Sequence, residues 1–191
     1  GEAIQLIEQR DAERPFFLYL PYYSVHTPIQ GKPELVEKYR AKAERMGLPT
    51  PDDAERILEG KAEHASQQRE HLVPQCNPVY AAMIETMDTN IGRLMQRLGE
   101  LELADETIVV FTSDNGGLNQ HNSGRTPTTS NLPQRAGKGW LYEGGVREPW
   151  IVRFPGRIEA GSESETPIVA TDLSPTILDL VGLDPRPDLH L

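Results

Sequence analysis

The pair Asp114-Asn115 offers two hard oxygen donors, a carboxylate and an amide carbonyl, of the kind that hold Ca²⁺ or Mg²⁺. It follows a β-branched, apolar run at residues 107–112 (TIVVFT) and precedes Gly116 and Gly117, which allow a sharp turn and close approach of a ligand. In open α/β sheets, ligands bind beyond the carboxyl ends of the strands, and this pair falls at such an end. The same four residues also make a good turn. His26, in a His-Thr-Pro sequence after another apolar run, is suited to contacting an anionic substrate or passing a proton to a leaving group; a solvated loop histidine is the alternative. Lys138 lies between Gly137 and Gly139 and can present its ammonium to an oxyanion, or simply stand in solvent. Glu143 and Arg147 have helical spacing and read as a structural ion pair. A metal pair, a histidine and a lysine converging on one sheet edge would bind a tetrahedral, dianion-like ester, without distinguishing sulfur from phosphorus.

These residues need elements to hold them. Residues 16–23 (FFLYLPYY) form a short continuous apolar run, which predicts a strand buried on both faces, as in a parallel sheet. Pro33 opens a helix with an apolar face of Leu35, Val36, Tyr39 and Met46, and Gly47 can end it. Asn77-Pro78 is a cap followed by a first-turn proline; Val79, Met83, Met87, Ile91, Leu94 and Leu98 then recur at helical spacing. The methionines on that face read as core packing. Residues 107–112 read as a buried strand, 150–154 as a third strand, and Asp172 as the cap of a last helix ending at Gly182. Residues 49–74 are charged and weakly periodic, with a helical stretch expected over 54–58; they read as a solvated insertion or a specificity loop. The polar stretch 118–137 is long enough to be functional or disordered. The order of elements points to an α/β sheet protein without internal repeats.

At 191 residues the chain can bury one real core, and its 37% hydrophobic and 25% charged residues are ordinary for a globular domain. A net charge of −10 disfavours nucleic acid, whose phosphates need clustered cations, and an anionic membrane surface. No run approaches the ~18 apolar residues of a membrane span. The single cysteine, Cys76, excludes an internal disulfide and a cysteine-rich metal site, and is compatible with either cytoplasm or periplasm.

Taken together, residues 16–28, the helix over 77–98, residues 112–117, the segment 137–149 (GKGWLYEGGVREP) and residues 171–182 (TDLSPTILDLVG) resemble, in order, the sulfatase family. The resemblance covers nearly the whole chain. It implies an alkaline-phosphatase-like α/β/α sandwich, incomplete at its N-terminal side. Asp114 and Asn115 would be metal ligands, usually for Ca²⁺ (Mg²⁺ being the alternative). Lys138 and His26 would hold the sulfate oxygens, one of them assisting the leaving alcohol. The partner would be a small-molecule or carbohydrate sulfate ester, and family habit places such enzymes in the periplasm or outside the cell.

One departure matters. Family members use a formylglycine made within a Cys/Ser-x-Pro-x-Arg sequence, normally upstream of the first strand. Cys76-Asn77-Pro78 is followed by Val79-Tyr80 and stands before the long helix, so Cys76 reads as an ordinary residue. Residues 1–191 are therefore expected to be part of a catalytic domain, inactive alone, with 49–74 as an insertion and 184–191 as a truncated tail. Exposed apolar edges would favour self-association or disorder over 118–137. A phosphonate or phosphodiester hydrolase of the same superfamily and a non-catalytic scaffold are the competing readings.

Overall fold

The computed structural model of the chain describes residues 1–59, 69–119 and 128–184. In chain order the elements are helix α1 (Glu2–Glu8), helix α2 (Pro33–Arg45), strands β1 (Arg56–Glu59) and β2 (Arg69–Leu72), helix α3 (Pro78–Glu100), strand β3 (Val109–Thr112), a one-turn helix α4 (Glu143–Val146), strand β4 (Trp150–Arg153), a 3₁₀ turn (Ala170–Asp172) and helix α5 (Leu173–Leu180). They fall into two units, residues 1–154 and 155–191.

The long helix forms as its sequence dictates. The Asn77 side-chain oxygen accepts from the N–H groups of Val79 (3.0 Å) and Tyr80 (3.2 Å), and Pro78 occupies the first turn. Ala82, Met83 and Leu98 on its apolar face are buried. Helix α2 packs along it, and the Lys38 ammonium reaches both Glu85 oxygens at 2.6 and 2.7 Å. Helix α1 is tied to its far end by Arg97, which bonds Glu8 (2.8 Å) and Glu100 (2.8 Å).

The Lys38–Glu85 pair makes the α2–α3 seam acid-sensitive. The hydrogen bond from Lys38 holds the Glu85 carboxyl below its ordinary value of 4.5. A carboxyl depressed in the folded state stabilises that state above its unfolded pKa, and the effect disappears as pH falls through the folded value. The melting temperatures of the chain and its Glu85→Gln variant are therefore expected to differ at pH 7 and to converge below pH ~4. A gap that persisted in acid would assign the pair's effect to packing.

Three sequence expectations are corrected. Residues 16–23 form no strand: the segment has no strand partner among the described residues, and Phe17 (79%), Tyr19 (76%) and Tyr23 (68%) stand in solvent. Apolar character signals a buried strand only where a neighbouring strand supplies the hydrogen-bond ladder. Residues 56–59 are strand rather than helix, because β1 and β2 pair antiparallel with Arg56 opposite Leu72. That hairpin is not simply solvated, since Leu72 packs with Ala54 and Cys76 in a small core. The other pairing among the described residues, β3 with β4, is also antiparallel, and Ile151 on β4 is 60% exposed.

In the second unit the turn at Gly156 has φ +78°, a left-handed conformation that suits glycine. Asp172 precedes α5, but its carboxylate turns back to accept from Val169 N–H (2.8 Å) and does not cap the helix. Gly182, at φ +75°, ends the helix as expected. Residues 185–191 of the expected tail lie outside the described residues.

Candidate functional site

Strand β3 carries the chain directly into Asp114 and Asn115. Asp114 is exposed, Asn115 is half-buried, and the Ser113 hydroxyl donates to the Asn115 carbonyl at 3.1 Å. Continuing the β3–β4 register two residues past Thr112↔Trp150 sets Asp114 opposite Glu148. Burial first, and then the Asp114 charge, push the Glu148 carboxyl above its ordinary value. Among the described residues Glu148 Oε1 is buried without a hydrogen-bond partner. Glu148 was not singled out from the sequence, because its place beside Asp114 follows only from the strand pairing.

Lys138 is brought to the same place by backbone contacts. Its N–H donates to the Gly117 carbonyl at 3.1 Å, and Gly116 N–H donates to the Gly145 carbonyl at 3.2 Å. The segments interlock through glycines. A methyl group on Gly116, Gly144 or Gly145 would come within 3.0 Å of backbone atoms of a facing segment. At Gly116, beside the candidate ligands, and at Gly144-Gly145, after the lysine, the chains meet main chain to main chain, whereas Gly117 faces the side chains of Thr129 and Asn131. The Glu143–Arg147 pair expected from spacing is present and exposed, at 3.7 Å.

Two asparagines that the sequence reading passed over complete the seam. The Asn131 amide nitrogen donates to the carbonyls of Gly117 (2.9 Å), Ala136 (3.0 Å) and Gly144 (3.3 Å). The buried Asn119 amide donates to Ala136 O (2.6 Å) and lies 2.9 Å from His71 Nδ1. Since that nitrogen must donate to the carbonyl, His71 Nδ1 is the acceptor and the neutral ring carries its proton on Nε2. Gln75 holds the neighbouring strip: its carbonyl oxygen accepts from the Thr129 hydroxyl at 2.8 Å and its amide donates to the Ser130 carbonyl. Single polar residues in a loop give no local pattern that would have marked them.

His26 is placed in a separate loop. It is exposed, its Nδ1 lies 2.7 Å from the Thr27 carbonyl, and its ring packs at a tilt against Tyr23 with centroids 5.4 Å apart. That loop is moored to α3 where Gln30 N–H meets Met83 Sδ at 3.2 Å. Among the described residues the contacts of His26 stay within its own loop, so the structure joins Asp114, Asn115 and Lys138 but does not tie His26 to them. Cys76 is buried in the small core, and burial pushes its thiol up, which disfavours the reactive thiolate. Of the polar stretch, residues 120–127 lie outside the described residues.

A family model described as Sulfatase matches residues 2–183. A sulfatase of Formosa agariphila is 32% identical over 95% of this chain and 29% of its own length. Human steryl-sulfatase is 32% identical over 95% of this chain and 25% of its length. Human N-acetylgalactosamine-6-sulfatase is 30% identical over 98% of this chain and 28% of its length. Among solved structures, Ps i-CgsB in complex with k-i-k-neocarrahexaose superposes with a TM-score of 0.71 at 29% identity, covering 98% of this chain and 34% of that one. The chain thus spans well under half the length of the relatives it matches.

Proposed function

The chain belongs to the sulfatase family, with its alkaline-phosphatase-like α/β fold, and from that premise we propose that it carries the metal-side and lysine-side part of a sulfate-ester hydrolase. The observation that carries the reading is the seam itself. It holds the loop of Asp114 and Asn115 against the loop of Lys138 through Lys138 N–H to Gly117 O and Gly116 N–H to Gly145 O. In this reading Lys138 and His26 hold sulfate oxygens. The nucleophile, a formylglycine, belongs to a longer polypeptide of which residues 1–191 form part, with 49–74 as an insertion that shapes specificity. The carbohydrate names among the relatives support a sulfated sugar or a small sulfate ester as substrate. A place in the periplasm or outside the cell goes with the same reading. No described helix is long and apolar enough to cross a membrane.

The donors fit a hard cation in kind. Asp114 and Asn115 supply oxygens, and Glu148, opposite Asp114, has a buried oxygen without a hydrogen-bond partner among the described residues. Ca²⁺, or Mg²⁺, held by Asp114 and Asn115 would supply charge neutralisation for the bound ester. In number the donors fall short: Ca²⁺ takes about six to eight oxygens, and among the described residues no three His, Cys, Asp or Glu side chains gather as a metal cluster. The isolated chain is therefore expected to bind Ca²⁺ weakly or not at all. Tight stoichiometric binding in calorimetry would show that it holds a complete site. The exposed run at 16–23 is expected to drive self-association of the isolated chain, to be read in sedimentation.

The experiment that tests the function is hydrolysis of a chromogenic aryl sulfate by a longer polypeptide containing this chain, with and without Ca²⁺, beside the chain alone. Turnover by the longer form only, dependent on the cation, is the expected result. Turnover of phosphonate or phosphodiester substrates in its place would reassign the reaction, and no turnover of any ester would leave a scaffold.

A further inference from the structure

We propose that Asn131 is a positioning residue whose side-chain amide sets the spacing between the Asp114–Asn115 loop and Lys138. Its nitrogen donates to carbonyls on three separate segments: Gly117 at 2.9 Å, Ala136 at 3.0 Å and Gly144 at 3.3 Å. Each acceptor sits at a point that matters. Gly117 closely follows the candidate metal pair, and its carbonyl also accepts the Lys138 N–H at 3.1 Å. Ala136 lies just before Lys138, and its carbonyl also takes the buried Asn119 amide at 2.6 Å. The Gly144 carbonyl is the atom that faces Gly116 most closely.

The two N–H groups of one amide, one of them shared between two carbonyls, therefore gather three oxygen dipoles that would otherwise repel one another across the seam. Aspartate has the shape without the donors, and serine has one donor on a shorter arm. Asn131 is itself held from behind, since its carbonyl accepts Gln134 N–H at 2.9 Å and its neighbour Ser130 is gripped by Gln75. It touches no reacting atom; it acts through the loops it joins. Its role in sulfate binding rests on the sulfate-ester reading above, whereas its coupling of the three segments does not.

The test uses the 191-residue chain, with amide hydrogen exchange and a titration with inorganic sulfate, both read by nuclear magnetic resonance. Asn131→Asp is expected to speed exchange about tenfold at Gly116, Lys138 and Gly144 together, leaving the amides inside α3 unchanged. It should also weaken the sulfate response at Gly117 and Lys138 about tenfold. Asn131→Ser, which keeps one donor, should fall between, and carries the same comparison if the aspartate variant does not fold. Faster exchange confined to Gln134 and its neighbours would overturn the proposal, because Asn131 would then pin only its own turn. If sulfate fails to move the wild-type signals, this chain alone does not hold sulfate at Lys138, and the exchange pattern still decides whether Asn131 couples the three segments.

Discussion

Replacing Lys138 with alanine in the complete enzyme is expected to lower kcat/KM on an aryl sulfate about a hundredfold, a loss of ~3 kcal/mol of transition-state stabilisation. The argument begins with the flanking glycines. Gly139 adopts φ +87°, and Gly137 is buried where a methyl group would strike the Gly117 carbonyl, so the backbone around the half-buried Lys138 is fixed. Among the described residues no carboxylate pairs with its ammonium. A cation held on a fixed backbone and free of a partner is preorganised for an anion, which is the condition under which a single donor is worth most. The substitution leaves the Lys138 N–H in place, so the bond to Gly117 and the seam should persist; hydrogen exchange at Gly116 and Gly144 should not change. Lys138→Arg is expected to recover only part of the rate, because a planar fork replaces a compact point charge. Full activity of the alanine variant would remove Lys138 from the mechanism.

Helix α3 and the strand before Asp114 were legible because their signals are local. Asn77-Pro78 encodes its own cap, the apolar face repeats within the helix, and a β-branched run ending in Asp-Asn-Gly-Gly marks a strand end whatever lies around it. Lys138 was legible for a similar reason, since two glycines around a lysine are seen without knowing the fold. What failed was everything that depends on a partner. Residues 16–23 have the composition of a central strand, yet a strand exists only in a ladder, and no described strand lies beside them. The β1–β2 hairpin looked like a charged excursion because its sequence shows no periodic apolar face, although Ala54 and Leu72 reach the small core with Cys76. Glu148 and Asn131 were invisible for one shared reason. Each earns its place by facing a residue distant in sequence, Asp114 across the β3–β4 register and Gly117 across a loop, and no spacing rule carries that information.

The same reasoning makes the glycine seam the most demanding part of the molecule. Gly116→Ala is expected to destabilise the first unit by at least about 3 kcal/mol, at the upper end for overpacking. Its new methyl would meet the Gly144 carbonyl oxygen, its carbon and the Gly145 Cα, all within 3.0 Å and all backbone. A flexible side chain could swing aside; a peptide carbonyl moves only with its whole segment. Gly144 is in turn backed by the Arg135 and Ala136 carbonyls, and Gly145 by those of Gly137 and Trp140, so displacement has nowhere to dissipate. The strain should open the Gly116 N–H to Gly145 O bond and carry Lys138 away from Asp114, with loss of function exceeding loss of fold. Gly99→Ala is the control. It lies in the last turn of α3 with nothing within 4 Å of the added methyl, and should be neutral or stabilising by up to ~1 kcal/mol through reduced unfolded-state entropy. Urea unfolding of the two variants separates the effects of contact and entropy. Equal midpoints would mean that the segments are not in main-chain contact at Gly116, and that the candidate site is held together by its asparagines alone.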